Sequence, residues 1–339
     1  MNELDLRATL NLPKLPSYLV RLQAELERIV ASDNPQIDPI LKRLVRSGGK
    51  RLRPSLLFAV TSSSSKKIDK TIIKAAAAIE LVHLASLVHD DIMDEAQTRW
   101  GKPTINAKAG IGEAIVIGDF LLAKACQTAA DINAQAATLI ASTIAKICDG
   151  QSRELGDQHN QNRMLDSLLL AVEGKTASLF DAACQLGAKC AGYTPAQAGA
   201  FGRYGTNFGV SYQLTDDLLD LLSSSKLAGK PVGADASSGT YTMPLIFGLQ
   251  GANGKSIKAK LQSRIVDATA LTDLLIKNGS VDKSIQKINE YNQVSSDVLK
   301  ALPSNNIITG LQHLPELYLK WVLKTQVDGR FVPSTAHLA

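Results

Sequence analysis

The 339-residue chain is 45% hydrophobic but only 5% aromatic, so it can bury a large core that must be built mostly from Ala, Leu, Ile and Val. That balance excludes a disordered tail, a collagen and a disulfide miniprotein, and it favours helices over sheets because aromatic strand formers are scarce. A net charge of +5, from 37 basic and 32 acidic residues, permits anionic partners without demanding nucleic acid, and none is expected.

The first residues, MNELDLRATLNLPKLP, are acidic early and broken by Pro13 and Pro16. They lack the basic and apolar regions of a signal peptide, so a cytoplasmic protein is expected. Apolar residues at spacings of three and four predict a helix over 18–30 and another over 37–45, after which Gly48-Gly49 ends the helix and Pro54 opens the next. Ser62 to Ser65 reads as a polar connector, and 72–93 as a long, mostly buried helix with an acidic end. Further helices are predicted over 111–130, 134–148, 164–190, 195–222, 243–249, 256–278, 281–302 and 306–326. Strand signals are nearly absent. No linker splits the chain, so residues 1–326 are read as one all-α domain, with 327–339 as a flexible tail. The longest irregular stretch is 223–242, and loops of that length inside a domain are usually functional or disordered. There Lys230 and Asp235 flank glycines that would let the backbone approach a ligand.

Cys126, Cys148, Cys184 and Cys190 lie in apolar segments without a CxxC pair, and are expected to be buried free thiols. No stretch reaches the roughly 18 uncharged apolar residues of a membrane span, the longest candidate being 132–145.

Two segments share one acidic pattern, Asp90-Asp91-Ile92-Met93-Asp94 and Asp216-Asp217-Leu218-Leu219-Asp220. On a helix, Asp90 stacks with Asp94 and Asp216 with Asp220, and each like-charged pair costs roughly 0.2–0.5 kcal/mol even in water. A cation should offset that cost, and Mg²⁺ held by a few carboxylates together with phosphate oxygens fits the donor chemistry. If the two helices face each other, they would clamp a metal cluster suited to a diphosphate. Basic residues point the same way: Lys50, Arg51 and Arg53 within Gly48-Gly49-Lys50-Arg51-Leu52-Arg53-Pro54, then Arg99, Lys175 beside Thr176, and Lys230. His83 and His89 are poorly spaced for zinc; His83 is either a donor to phosphate or a satisfied core histidine.

GGKRLRP, HLASLVHDDIMDEAQTRWGKPT, GDFLL, KTASLF, YQLTDDLLD and GKPVGAD occur in the order and spacing of the trans-isoprenyl diphosphate synthases, which the chain resembles over about residues 40 to 250. The wording is most similar to the long-chain branch, in particular the catalytic subunit of hexaprenyl or heptaprenyl diphosphate synthases. The resemblance implies a single all-α bundle around a central apolar cavity, with the two aspartate motifs facing each other at the mouth of that tunnel and head-to-tail elongation as the chemistry. Mg²⁺ would bridge an allylic diphosphate to Asp90, Asp94 and Asp216, supported by Asp91, Asp217 and Asp220. Arg99, Lys175 and Lys230 would hold that diphosphate as it leaves, with Thr176 and Gln213 beside the developing allylic cation. Lys50, Arg53 and His83 match positions that bind isopentenyl diphosphate. A homodimer, or a heterodimer with a small regulatory subunit, is implied, together with transient membrane contact for product release.

Three departures stand out. Trp100 replaces the family's usual second Arg, Gly150-Gln151-Ser152-Arg153-Glu154 inverts a Gly-Glu-x-x-Gln pattern, and Thr240 stands where a Lys is common. Ala85 and Ser86, about one turn before Asp90, leave the tunnel open, which predicts products of roughly thirty carbons or more. A terpene cyclase would carry a second metal motif of Asn, Ser and Glu rather than another DDxxD. A subunit that binds diphosphates but needs a partner chain is the other reading, kept by Trp100 and the inverted pattern.

Overall fold

The computed structural model describes residues 4–99, 101–223, 233–262, 267–327 and 331. In chain order the helices are α1 (Leu6–Thr9), α2 (Leu15–Val30), α3 (Asp38–Val45), α4 (Leu52–Ser62), α5 (Lys70–Met93), α6 (Ile105–Ala109), α7 (Ile111–Ala130), α8 (Ala134–Gly156) and α9 (Leu165–Val172). A π-helical turn, Glu173–Ala177, joins α9 to α10 (Ser178–Ala191), followed by α11 (Pro195–Leu222), α12 (Ala234–Ser238) and α13 (Met243–Gln250). The last helices are α14 (Gly254–Leu261), α15 (Ala268–Lys277), α16 (Ser280–Leu299) and α17 (Asn306–Thr325). The all-α expectation holds. Among the described residues the strands are a two-residue pair, β1 (Thr98–Arg99) and β2 (Lys102–Pro103).

Residues 70–93 carry aliphatic side chains on every face, so this helix must be surrounded. α5 lies against α2, α4, α7 and α10, and its run Ala75 to Ala78 is fully buried. By length and hydropathy α5 could cross a membrane, contrary to the expectation that no stretch qualifies; its best window has a mean hydropathy of 1.7 and is 72% buried within the protein. α11 spans the two apolar clusters of the core. Phe201, Tyr204 and Phe208 pack with α4, α5 and α10, while Leu214, Leu218 and Leu221 pack with α13, α15 and α16.

Three predicted segments differ. Residues 134–148 extend as α8 to Gly156, because the added turns carry exposed Asp149 and Arg153 and lose the apolar period. Residues 164–190 are interrupted by the π turn. There, α-carbons of α8 and the turn press together: a β-carbon on Gly150 would stand 2.2 Å from the Lys175 backbone nitrogen. Residues 256–278 divide into α14 and α15, the second opened by Asp267, whose side chain accepts from the Ala270 N–H. α12 interrupts the 223–242 stretch, of which residues 224–232 lie outside the described residues. The cysteines are free, but only Cys184 is buried; Cys148 is on the outer face of α8 and exposed, and Cys126 and Cys190 are half-buried. Most of 327–339 lies outside the described residues, while Val327 and Phe331 pack on the second cluster.

Candidate active site

Asp90 and Asp91 occupy the last turn of α5, and Asp94 is its C-cap. Asp216, Asp217 and Asp220 occupy the last two turns of α11. Both sets therefore sit where unpaired carbonyls make a helix end negative, the less favourable end for a carboxylate. Burial adds to this cost. It pushes the Asp90 carboxyl up, an effect countered by Lys175 and Arg99 and reinforced by Asp94 and Glu154. Asp91 is raised by burial against the pull of Arg99. Asp217 is raised furthest, by burial first and then by Asp235, while the Gln213 amide opposes it.

The local partners are specific. Arg99, the last residue of β1, donates from Nε to Asp91 Oδ1 at 2.8 Å. Thr176 donates to Gln213 Oε1 at 2.9 Å, and Gln213 Nε2 donates to Asp217 Oδ1 at 2.9 Å, so the π turn and α11 are joined through one amide. Lys175 Nζ donates to Glu154 Oε1 at 3.1 Å. Burial alone would lower the Lys175 ammonium, but Glu154, Asp90 and Asp94 outweigh it and hold the group above its ordinary value. Tyr318 of α17 donates to Asp216 Oδ1 at 2.7 Å and stacks on Tyr212 at 4.8 Å between ring centroids. Asp220 Oδ2 accepts from the Asp235 N–H at 3.2 Å.

Two further cations, Arg53 and Lys50, stand with His83 at the same end of the bundle. Arg53 lies over the Phe180 ring at 4.5 Å, and its Nη1 is 3.4 Å from His83 Nε2. Its buried Nε has no hydrogen-bond partner among the described residues. Burial draws its pKa down, while Tyr212, Glu80, Asp216 and Asp90 draw it up, so Arg53 feels the charge of both aspartate motifs. His83 is held well below its ordinary value by burial and by Arg53, Arg51 and Arg99, which leaves a neutral imidazole. Lys50 lies 4.3 Å from the Trp321 ring and 5.6 Å from that of Tyr318. Arg51 does not join them: it turns inward to pair with buried Glu80 and donates to the Val45 carbonyl at 2.6 Å. His89 covers Gly118 and stands 3.7 Å from Asp119. Lys230 and Trp100 lie outside the described residues.

The sequence profile of the polyprenyl synthetase family matches residues 34–275, which include both aspartate motifs and every described cation at this end of the bundle. The chain belongs to the polyprenyl synthetase family. It is an enzyme of the prenyltransferase class. Among its polyprenyl synthetase relatives, component 2 of the heptaprenyl diphosphate synthase of Geobacillus stearothermophilus is 32% identical over 86% of this chain and 92% of that protein. The nonaprenyl diphosphate synthase of Mycobacterium tuberculosis is 35% identical over 74% of this chain and 77% of its own length. A polyprenyl synthase from Caulobacter crescentus, solved with calcium and isoprenyl diphosphate, superposes with a TM-score of 0.85 at 27% identity, covering 94% of this chain and 98% of that one.

Within this polyprenyl synthetase, Tyr318, Trp321 and Tyr212 were missing from the sequence-predicted site. All three follow the apolar period of their helices, so nothing in the pattern separates them from core residues. Glu154 was visible only as the acidic end of an inverted pattern; its pairing with Lys175 comes from the close seating of α8 on the π turn.

Proposed function

We propose that this enzyme is a Mg²⁺-dependent, chain-elongating prenyltransferase of the cytoplasm, condensing isopentenyl diphosphate with an allylic diphosphate to give a long-chain all-trans polyprenyl diphosphate. The observation that carries this reading is that the family profile spans both aspartate motifs and that the second motif is tied, through Asp217, Gln213 and Thr176, to the turn that carries Lys175. The donors suit a hard cation. Among the described residues no three acidic or imidazole side chains converge closely enough to hold an ion alone, so phosphate oxygens and water would complete its shell. Asp90, Asp94 and Asp216 would hold Mg²⁺, which when bound supplies charge stabilisation to the departing diphosphate.

The chain's own residues carry the remaining work. Arg99 and Lys175, with Lys230, would hold the allylic diphosphate as its C–O bond breaks. The Thr176 and Gln213 oxygens would lie beside the allylic cation, their positions fixed by the bond to Asp217. Lys50, Arg53 and neutral His83 would seat isopentenyl diphosphate, whose terminal carbon forms the new C–C bond. The proton lost in that step passes to the departing pyrophosphate. Ala85 and Ser86 of α5, about one turn before Asp90, are both small, in keeping with a tunnel open to products of roughly thirty carbons or more.

A second reading, a catalytic subunit that needs another chain, is favoured by the name component 2 carried by relatives from Geobacillus stearothermophilus and Bacillus subtilis. Ile111, Ile115 and Val116 of α7 are 60%, 46% and 52% exposed, an apolar stripe in keeping with association. The test is to incubate the purified chain with Mg²⁺, isopentenyl diphosphate and allylic primers of increasing length, and to identify the products. Elongation by the chain alone supports the first reading, and elongation only with a second protein the subunit reading. Cyclised or merely hydrolysed primers would refute both.

A further inference from the structure

Lys175 already has a resident partner. Its ammonium and the Glu154 carboxylate are 3.1 Å apart, with side chains only 24% and 25% exposed. The pairing is built by backbone fit: Gly150 lets α8 close on the π turn, and Glu154, one turn further along α8, is thereby brought over the Lys175 side chain. Glu154 belongs to neither aspartate motif, yet its charge reaches both, raising Asp90 on α5 and Asp217 on α11. A diphosphate seated beside Lys175 would therefore meet an additional, unneutralised carboxylate.

We propose that Glu154 is a positioning residue, the counter-ion that holds Lys175 in the substrate-free site and gives up its ammonium to a diphosphate on binding. This rests on the diphosphate reading of the site. Two effects share one sign. Glu154 competes for the ammonium, and its charge repels the phosphates, so its presence weakens diphosphate binding. The same competition favours release of pyrophosphate, because Lys175 can return to Glu154 as the product leaves.

The test is calorimetric titration of inorganic pyrophosphate, at saturating Mg²⁺, into the wild type, Glu154→Gln, Glu154→Ala and Asp149→Asn. Asp149 is an exposed carboxylate on the same helix, paired with Arg153, and its substitution controls for net charge. For a partly exposed pair, both Glu154 variants should bind pyrophosphate about three- to tenfold more tightly, while Asp149→Asn stays at the wild-type affinity. Structural damage would weaken binding rather than tighten it. Unchanged or weaker binding in both Glu154 variants would overturn the assignment while leaving the diphosphate site standing. Equal tightening in Asp149→Asn would reduce the effect to net charge and overturn it as well. A wild type that binds no pyrophosphate would remove the diphosphate reading and this inference together.

Discussion

Arg51 separates scaffold from the proposed substrate site within Gly48-Gly49-Lys50-Arg51-Leu52-Arg53-Pro54. It stands just before α4 with φ +46°, a left-handed conformation that a non-glycine residue adopts at a cost. Its guanidinium meets Glu80, whose side chain is only 3% exposed, and bonds the Val45 carbonyl that ends α3. Glu80 Oε2 is buried with no hydrogen-bond partner among the described residues, so Arg51 carries most of the compensation for that carboxylate. Arg51→Met would leave a buried charge unpaired, a loss of about 3–5 kcal/mol. The orphaned Val45 carbonyl adds about 1–3 kcal/mol.

With about 1.4 °C of melting temperature per kcal/mol in a chain of 339 residues, the midpoint should fall by roughly 6–11 °C. Thermal unfolding followed by circular dichroism measures it. Arg51→Met combined with Glu80→Leu should recover most of the loss, since an apolar pair of similar volume commonly replaces a buried ion pair without penalty. Lys50→Met should barely move the midpoint and should raise the KM for isopentenyl diphosphate. If Arg51→Met melts like the wild type and raises that KM instead, Arg51 belongs to the substrate site and the reasoning fails.

Ala85→Phe should shorten the product, read by chromatography of the dephosphorylated prenols; unchanged chain length would refute the tunnel assignment. Gly150→Ala forces α8 away from the π turn and should lower kcat at least tenfold as Lys175 and Thr176 shift, with a cost of about 1–3 kcal/mol in stability by urea titration. Asp217 has its folded pKa raised above the ordinary 3.8, so the folded state binds its proton more readily than the unfolded chain does. The cost of its buried charge is fully present above the raised pKa and is relieved as pH falls from there toward 3.8. In metal-free protein, Asp217→Asn should therefore be more stable than the wild type at neutral pH. That gain should shrink in acid, and a gain independent of pH in thermal melts would contradict the assignment.

The helices were legible because α5, α7 and α11 keep an apolar period, or an all-apolar surface, over 20 residues or more. The two aspartate motifs were equally plain, since paired carboxylates interrupt that period at helix ends. The π turn was not legible: Glu173, Gly174 and Lys175 continue a helical pattern, and the extra residue per turn arises from the tertiary contact between Gly150 and Gly174. The split roles of Lys50, Arg51 and Arg53 were hidden for the same reason. Three closely spaced cations look alike in sequence, and only the left-handed backbone at Arg51, which turns its guanidinium onto Glu80, separates it from the other two.

The partners seen at this end of the bundle bear on how substrate is bound. Arg99 is paired with Asp91, Lys175 with Glu154, and Tyr318 with Asp216. An incoming metal–diphosphate complex would thus exchange partners rather than fill a vacant cluster. Such exchange keeps like charges apart before substrate arrives and limits the side-chain ordering required on binding. It also predicts weak binding of either component alone. A bare diphosphate meets the carboxylates of both motifs together with Glu154, and a bare metal meets aspartates already engaged by Arg99 and Tyr318. Titrating Mg²⁺ and pyrophosphate separately and then together should give strongly cooperative uptake, each tightening the other by the same factor as linkage requires. Independent binding of the two would show that the internal pairs do not open on binding.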